Sequence, residues 1–132
     1  MRIAADTNVL LRDVLHDDPM QSPLAGKVLQ NAELVVIPIP VLCEFVWVLR
    51  QVYKRQPVEI ASSIRMLICS SNVVVDQPAV EAGLTLLDKG GDFADGVIAY
   101  EGYWLGAEEF VSFDKQAVSL LKAQGRKTRL LS

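Results

Sequence analysis

The strongest constraint on the fold of this chain is the spacing of its short apolar runs. Runs at 3–5, 34–37, 73–75, 110–113 and 128–131 are too brief for helices; the first three are apolar at every position, and the last two, interrupted by Ser112 and by Thr128 and Arg129, still carry apolar residues on both faces. A strand apolar on both faces needs cover on both, and parallel neighbours need a long, usually helical, connection. The segments between the runs supply helices. The alternation predicts an α/β fold: a three-layer α/β/α sandwich with a central, mostly parallel sheet of about five strands.

The helical segments are read from their periodicity and their punctuation. Val9, Leu10, Leu11, Val14 and Leu15 recur at helical spacing after the polar turn Asp6-Thr7-Asn8. Ser22-Pro23 reads as an N-cap followed by proline in the first helical position, opening a helix to about Asn31. Val41, Leu42, Phe45, Val46, Leu49 and Val52 form an i, i+3, i+4 stripe over 41–53, set off from the preceding strand by Pro38 and Pro40. Pro57 restarts a helix that ends by Ser70-Ser71-Asn72. Pro78 opens another that stops at Gly90-Gly91, and 92–105 and 115–124 complete the set, the last ended by Gly125.

A chain of 132 residues can bury one core, so 1–132 is expected to be a single domain. No apolar stretch approaches the roughly 20 residues needed to span a bilayer. The opening Met1 to Asp6 reaches an acid before any signal-like apolar region can form, so a soluble cytoplasmic protein without membrane contact is expected. Cys43 and Cys69 lack a CxxC partner and have only His16 as a companion, which indicates neither zinc nor a disulfide framework. A net charge of −3 argues against a general nucleic-acid coat protein. Carboxylates concentrated in one pocket would distort that total, because a bound cation reverses the local sign.

Acids stand where such a fold binds ligands, beyond the carboxyl ends of strands. Asp6 ends the first strand and Asp114 ends the fourth. Glu44 lies one turn into the helix after the second strand, and Asp95 lies one turn into the helix after Gly90-Gly91. Carboxylates converging at about 5 Å would repel by roughly 3 kcal/mol per ionised pair at an effective dielectric of 20. Shared protons or a hard cation would relieve this, and an all-oxygen set favours one or two Mg²⁺ or Mn²⁺ ions. Glu44 stands among Val41, Leu42, Cys43, Phe45 and Val46, where an unpaired buried charge would be expensive. Asp92, three residues before Asp95, reads as an N-cap, a further metal-site acid, or both.

Taken in order, Asp6-Thr7-Asn8, Glu44, Asp92-Phe93-Ala94-Asp95-Gly96-Val97-Ile98-Ala99 and Ser112-Phe113-Asp114 resemble the motifs of PIN domains, particularly the VapC toxins of bacterial toxin-antitoxin pairs. The resemblance covers nearly the whole chain; each motif alone is weak, and the ordered set carries it. It implies a metal-dependent endoribonuclease whose metal-site acids fall on Asp6, Glu44, Asp95 and Asp114, with supporting hydroxyls on Thr7 and Ser112. It further implies hydrolysis leaving a 5′-phosphate and a 3′-hydroxyl, and a structured substrate such as a tRNA or rRNA loop. A homodimer, a VapB-type antitoxin, and operator DNA bound only through that antitoxin complete what it implies. Gly96 departs from the family, which more often has Ala there, and is expected to loosen its helix slightly.

Other charged residues have plainer readings beside functional ones. Asp13, His16, Asp17 and Asp18 read as a solvated helix end. Arg50, Lys54 and Arg55 fit either a solvated helix end or phosphate contacts at the rim of the site, and Arg126, Lys127 and Arg129 are weaker RNA candidates. Trp47 and Trp104 read as core or interface rather than base-stacking platforms. Three other functions compete. A haloacid-dehalogenase-like phosphatase would need a second Asp at Asn8, a phosphate-accepting receiver domain needs an acidic pair elsewhere and a late Lys, and a degenerate PIN-like domain would only bind.

Overall fold

The computed structural model describes residues 1–132, which divide into two compact units, Met1–Asp76 and Gln77–Ser132. The first unit runs β1 (Arg2–Ala4), α1 (Thr7–Leu15), α2 (Gln21–Asn31), β2 (Leu34–Val36), α3 (Ile39–Gln51), α4 (Pro57–Cys69) and β3 (Val73–Val74). Its sheet has the order β1-β2-β3, all parallel, with Ile3 opposite Val35 and Val35 opposite Val73. The ladder reaches past the strand ends through Ala5 N–H to Val36 O at 3.0 Å and Ile37 N–H to Val74 O at 3.0 Å.

The apolar stripes read from the sequence are what this unit buries. Leu10 and Leu11 of α1, Val35 of β2, Leu42, Phe45, Val46 and Leu49 of α3, and Ile60 and Ile64 of α4 form its core. Asn72 ties the sheet to α2: its side-chain amide donates to the carbonyls of Leu29 and Ala32 at 2.9 and 3.0 Å, satisfying groups that a helix C-terminus leaves unpaired.

The second unit runs α5 (Gln77–Asp88), α6 (Phe93–Trp104), β4 (Phe110–Ser112), α7 (Lys115–Ala123) and β5 (Thr128–Leu130). β4 and β5 form a parallel pair, Val111 opposite Arg129. Leu86, Ala99 and Leu121 join α5, α6 and α7 in one cluster, with Tyr103, Phe110 and Leu120 packed against it. α5 and α6 approach closely at two glycines. A methyl group on Gly96 would collide with the Ala82 carbonyl and lie 2.9 Å from the Gly83 Cα, and one on Gly83 would lie 2.5 Å from the Phe93 ring.

The architecture corrects the fold expected from the alternation. Seven helices hold about 60% of the residues, and the five strands form two small parallel sheets of three and two strands, not one central five-stranded sheet sandwiched by helices. Strands of two or three residues offer few backbone pairs, so their partners are chosen by tertiary packing that an apolar run does not encode. The start of α2 also differs. Ser22 lies inside the first turn, with its Oγ accepting from Asp18 N–H at 3.3 Å; the N-cap position is Met20, and Asp18 just before it accepts from Met20 and Gln21 N–H through Oδ1 at 2.9 and 2.7 Å. Pro40, expected to precede the third helix, sits within its first turn, where a missing N–H costs nothing.

Candidate acidic site

In the first unit, Asp6 follows β1 and caps α1. Its backbone is extended, and its Oδ1 accepts from Val9 N–H at 3.1 Å. One oxygen is thus committed to the helix, and the other is the one available to a ligand. Thr7 is buried at the first helical position. Asp6 also borders a groove of about 330 Å³ whose apolar walls, Val9, Leu24 and Val28, are edged by Asn8, Arg12 and Gln21. A cavity of about 660 Å³ elsewhere in the unit, lined by Leu10, Asp13, Leu67 and Asn72, touches none of the candidate acids.

Glu44 is exposed. Burial cost therefore does not argue for a cation there: Leu42, Phe45, Val46 and Leu49 turn to the core, while Glu44 turns outward with Pro40, Trp47 and Gln51. Trp47 is 60% exposed and Trp104 79%, so neither is a core residue. The exposed set of α3 is the complement of its apolar stripe. Reading 40, 44, 47 and 51 as one face would have found it in the sequence.

In the second unit two acids, Asp92 and Asp114, act on a third, Asp95. Asp92 caps α6 by accepting from Ala94 N–H at 3.0 Å, and Asp114 caps α7 by accepting from Gln116 and Ala117 N–H at 2.9 and 3.1 Å. Ser112 Oγ accepts from Asp114 N–H at 2.9 Å, which fixes the backbone of the acid it was expected to support. Asp95, in the first turn of α6, is half-buried, and its carboxyl is pushed up to about 6 by desolvation first and then by the charges of Asp92 and Asp114. A helix N-terminus favours a carboxylate, so burial and like charge here outweigh the macrodipole.

No three acidic, histidine or cysteine side chains stand in an arrangement that would hold a metal ion. The donor chemistry of the trio nevertheless suits a hard divalent cation: all donors are carboxylate oxygens, and the Asp95 carboxyl is raised to about 6 by burial first and then by its two acidic neighbours. Of the basic candidates, Lys54 is exposed in the turn after α3 with φ 54°, and Arg50 is half-buried. Arg129 pairs with Glu109 at 2.8 Å. Arg126 lies over the Tyr103 ring, 4.9 Å from its centroid, and the Tyr103 hydroxyl donates to Lys127 O at 2.7 Å. These contacts give Arg126 and Arg129 structural work. No family model and no curated protein matches the chain. The likeness to PIN domains therefore rests on the ordered motifs.

Proposed function

We propose that this protein is a Mg²⁺- or Mn²⁺-dependent endoribonuclease of the PIN type, acting as the toxin of a VapBC-type pair. The observation that carries the reading is the grouping of Asp92, Asp95 and Asp114, with the Asp95 carboxyl raised to about 6. Perturbed carboxylates cluster at functional sites. Asp6 and Glu44 join the set through the order of the motifs and through their exposure to solvent.

The resemblance assigns the cation to Asp6, Glu44, Asp95 and Asp114, with Asp92 as a further candidate ligand. The ion supplies a lowered pKa for bound water and a counter-charge for the scissile phosphate. The residues of the chain do the positioning. Asp6, Asp92 and Asp114 each spend Oδ1 on a helix N-terminus, which fixes the carboxylate and presents Oδ2. Ser112 holds the backbone from which Asp114 projects. Below about pH 6 the Asp95 carboxyl would hold a proton that a cation must displace, so metal affinity falls as the pH drops through that value.

Substrate and partners follow from the same reading: a tRNA or rRNA loop cut to 5′-phosphate and 3′-hydroxyl ends, a homodimer, a VapB-type antitoxin that alone contacts operator DNA, and a cytoplasmic setting. No helix is long and apolar enough to cross a membrane. The deciding experiment is cleavage of total RNA by the purified protein with Mg²⁺, Mn²⁺ or EDTA, beside Asp6→Asn and Asp95→Asn, with the new ends sequenced. Metal-dependent cuts lost in both variants support the nuclease. Absence of cleavage by the folded wild type favours the second reading, a PIN-like binding module, for which the lack of an assembled three-ligand set is the specific argument.

A further inference from the structure

The outward side of α3 places an aromatic ring beside a candidate site acid. Along this helix the exposed residues are Pro40, Glu44, Trp47 and Gln51, at i, i+4, i+7 and i+11, one face of a 3.6-residue period. Leu42, Phe45, Val46 and Leu49 occupy the opposite side and are buried. An indole is among the side chains that gain most from burial, yet Trp47 is 60% exposed on a helix whose other face is fully packed. Packing of this unit gives Trp47 no role.

We propose that Trp47 is a base-stacking residue that seats an unpaired nucleotide of single-stranded RNA next to Glu44, an inference that rests on the proposed nuclease reading. Side chains at i and i+3 of a helix are neighbours, about 5–6 Å apart at Cβ, so a base stacked on the indole lies within one nucleotide of the carboxylate. Single-stranded loops offer unstacked bases, and an aromatic face accepts any of them. Lys54, exposed in the turn that follows α3, is a cation of the kind that contacts phosphates. A protein seated on this face would meet Glu44 and Gln51 beside the indole, whereas the centres of protein interfaces are depleted of acidic side chains.

The chain has two tryptophans, which makes the test direct. The full chain carrying Asp6→Asn, so that RNA survives, is combined with Trp104→Phe or Trp47→Phe and titrated with a short single-stranded RNA of mixed sequence in the presence of Mg²⁺. Emission should be quenched saturably in the Trp104→Phe protein, where Trp47 is the only indole, and much less in Trp47→Phe. Trp47→Ala should weaken binding about 5- to 100-fold, the loss of one base stack, and Trp47→Tyr should restore most of it. RNA binding with unquenched Trp47 emission, or unchanged affinity in Trp47→Ala, overturns the inference. So does a Trp47→Ala protein that changes its sedimentation but not its RNA affinity, which would make the face a protein interface. Cleavage by the wild type judges the nuclease reading separately. Cleavage without a Trp47 effect removes only the stacking role, and absence of both cleavage and RNA binding removes both.

Discussion

Asp95 lies one turn from Asp92 on α6 and bears its charge while itself half-buried, so its carboxyl ionises near 6 instead of in the ordinary range. Asp95 has a folded-state value above its unfolded one. Between about 4 and 6 the folded state therefore binds more protons, and stability falls as pH rises through that window. By linkage the full difference is roughly 3 kcal/mol, and solvent access at this half-buried site reduces it to about 1–2. Asp95→Asn should stabilise the protein by about 1 kcal/mol at pH 7, with the gain vanishing below about pH 4. Urea unfolding of both proteins across that range is the measurement. Parallel stability curves would show that Asp95 is not strained by its surroundings.

A cation at the acidic trio would offset the like charges that add to the effect of burial on Asp95. Adding Mg²⁺ or Mn²⁺ should lower the Asp95 titration midpoint, read from the pH dependence of its side-chain carboxyl signal by NMR with Mg²⁺. Saturating metal should also raise unfolding stability by about 2.7 kcal/mol at a hundredfold excess over the dissociation constant. Asp95→Asn and Asp114→Asn should each lose most of that gain. A midpoint unmoved by metal would mean that these carboxylates do not share a cation.

Asp114 has two separable jobs. As N-cap of α7 it accepts two backbone N–H groups, which asparagine can also do, whereas a cation needs the charge. Asp114→Asn should therefore keep stability within a few tenths of a kcal/mol and abolish metal-dependent cleavage. Asp114→Ala should lose cleavage and in addition about 1 kcal/mol of stability. Equal cleavage by wild type and Asp114→Asn would reduce this residue to its cap.

What could be read in the sequence differs from residue to residue for physical reasons. Helix positions followed from apolar periodicity, and Asp92 as a cap followed from its place before Phe93, because both depend on contacts close in sequence. Glu44 misled because its neighbours along the chain are apolar, while its neighbours around the helix are exposed. Ser22 misled because the helix already begins at Gln21, one residue earlier, where Asp18 takes the N–H groups of Met20 and Gln21. The division of five strands into two sheets was not legible at all: the runs at 73–75 and 110–113 fix an extended backbone but not the strand it pairs with. The influence of Asp92 and Asp114 on Asp95 could be anticipated only for Asp92, which shares its helical face.

Gly96 was expected to loosen α6, and the packing assigns it the opposite role. With its hydrogen in place of a side chain, α6 comes against the backbone of α5 at Ala82 and Gly83, and a methyl group would meet backbone atoms that cannot rotate away. On helix propensity alone, Gly→Ala would stabilise by about 1 kcal/mol. Overpacking a contact of this kind costs about 1–3 kcal/mol, sometimes more. Gly96→Ala should thus destabilise by up to about 2 kcal/mol net, although the helix itself gains. Gly102 on the same helix is the control, since its added methyl meets only the Ala107 side chain at 4.0 Å. Gly102→Ala should be neutral or stabilising by up to about 1 kcal/mol. Chemical denaturation of the two variants separates packing from propensity. If both gained stability, the helices would be free to part, and the close approach at Gly96 would have no part in holding Asp95 beside Asp92 and Asp114.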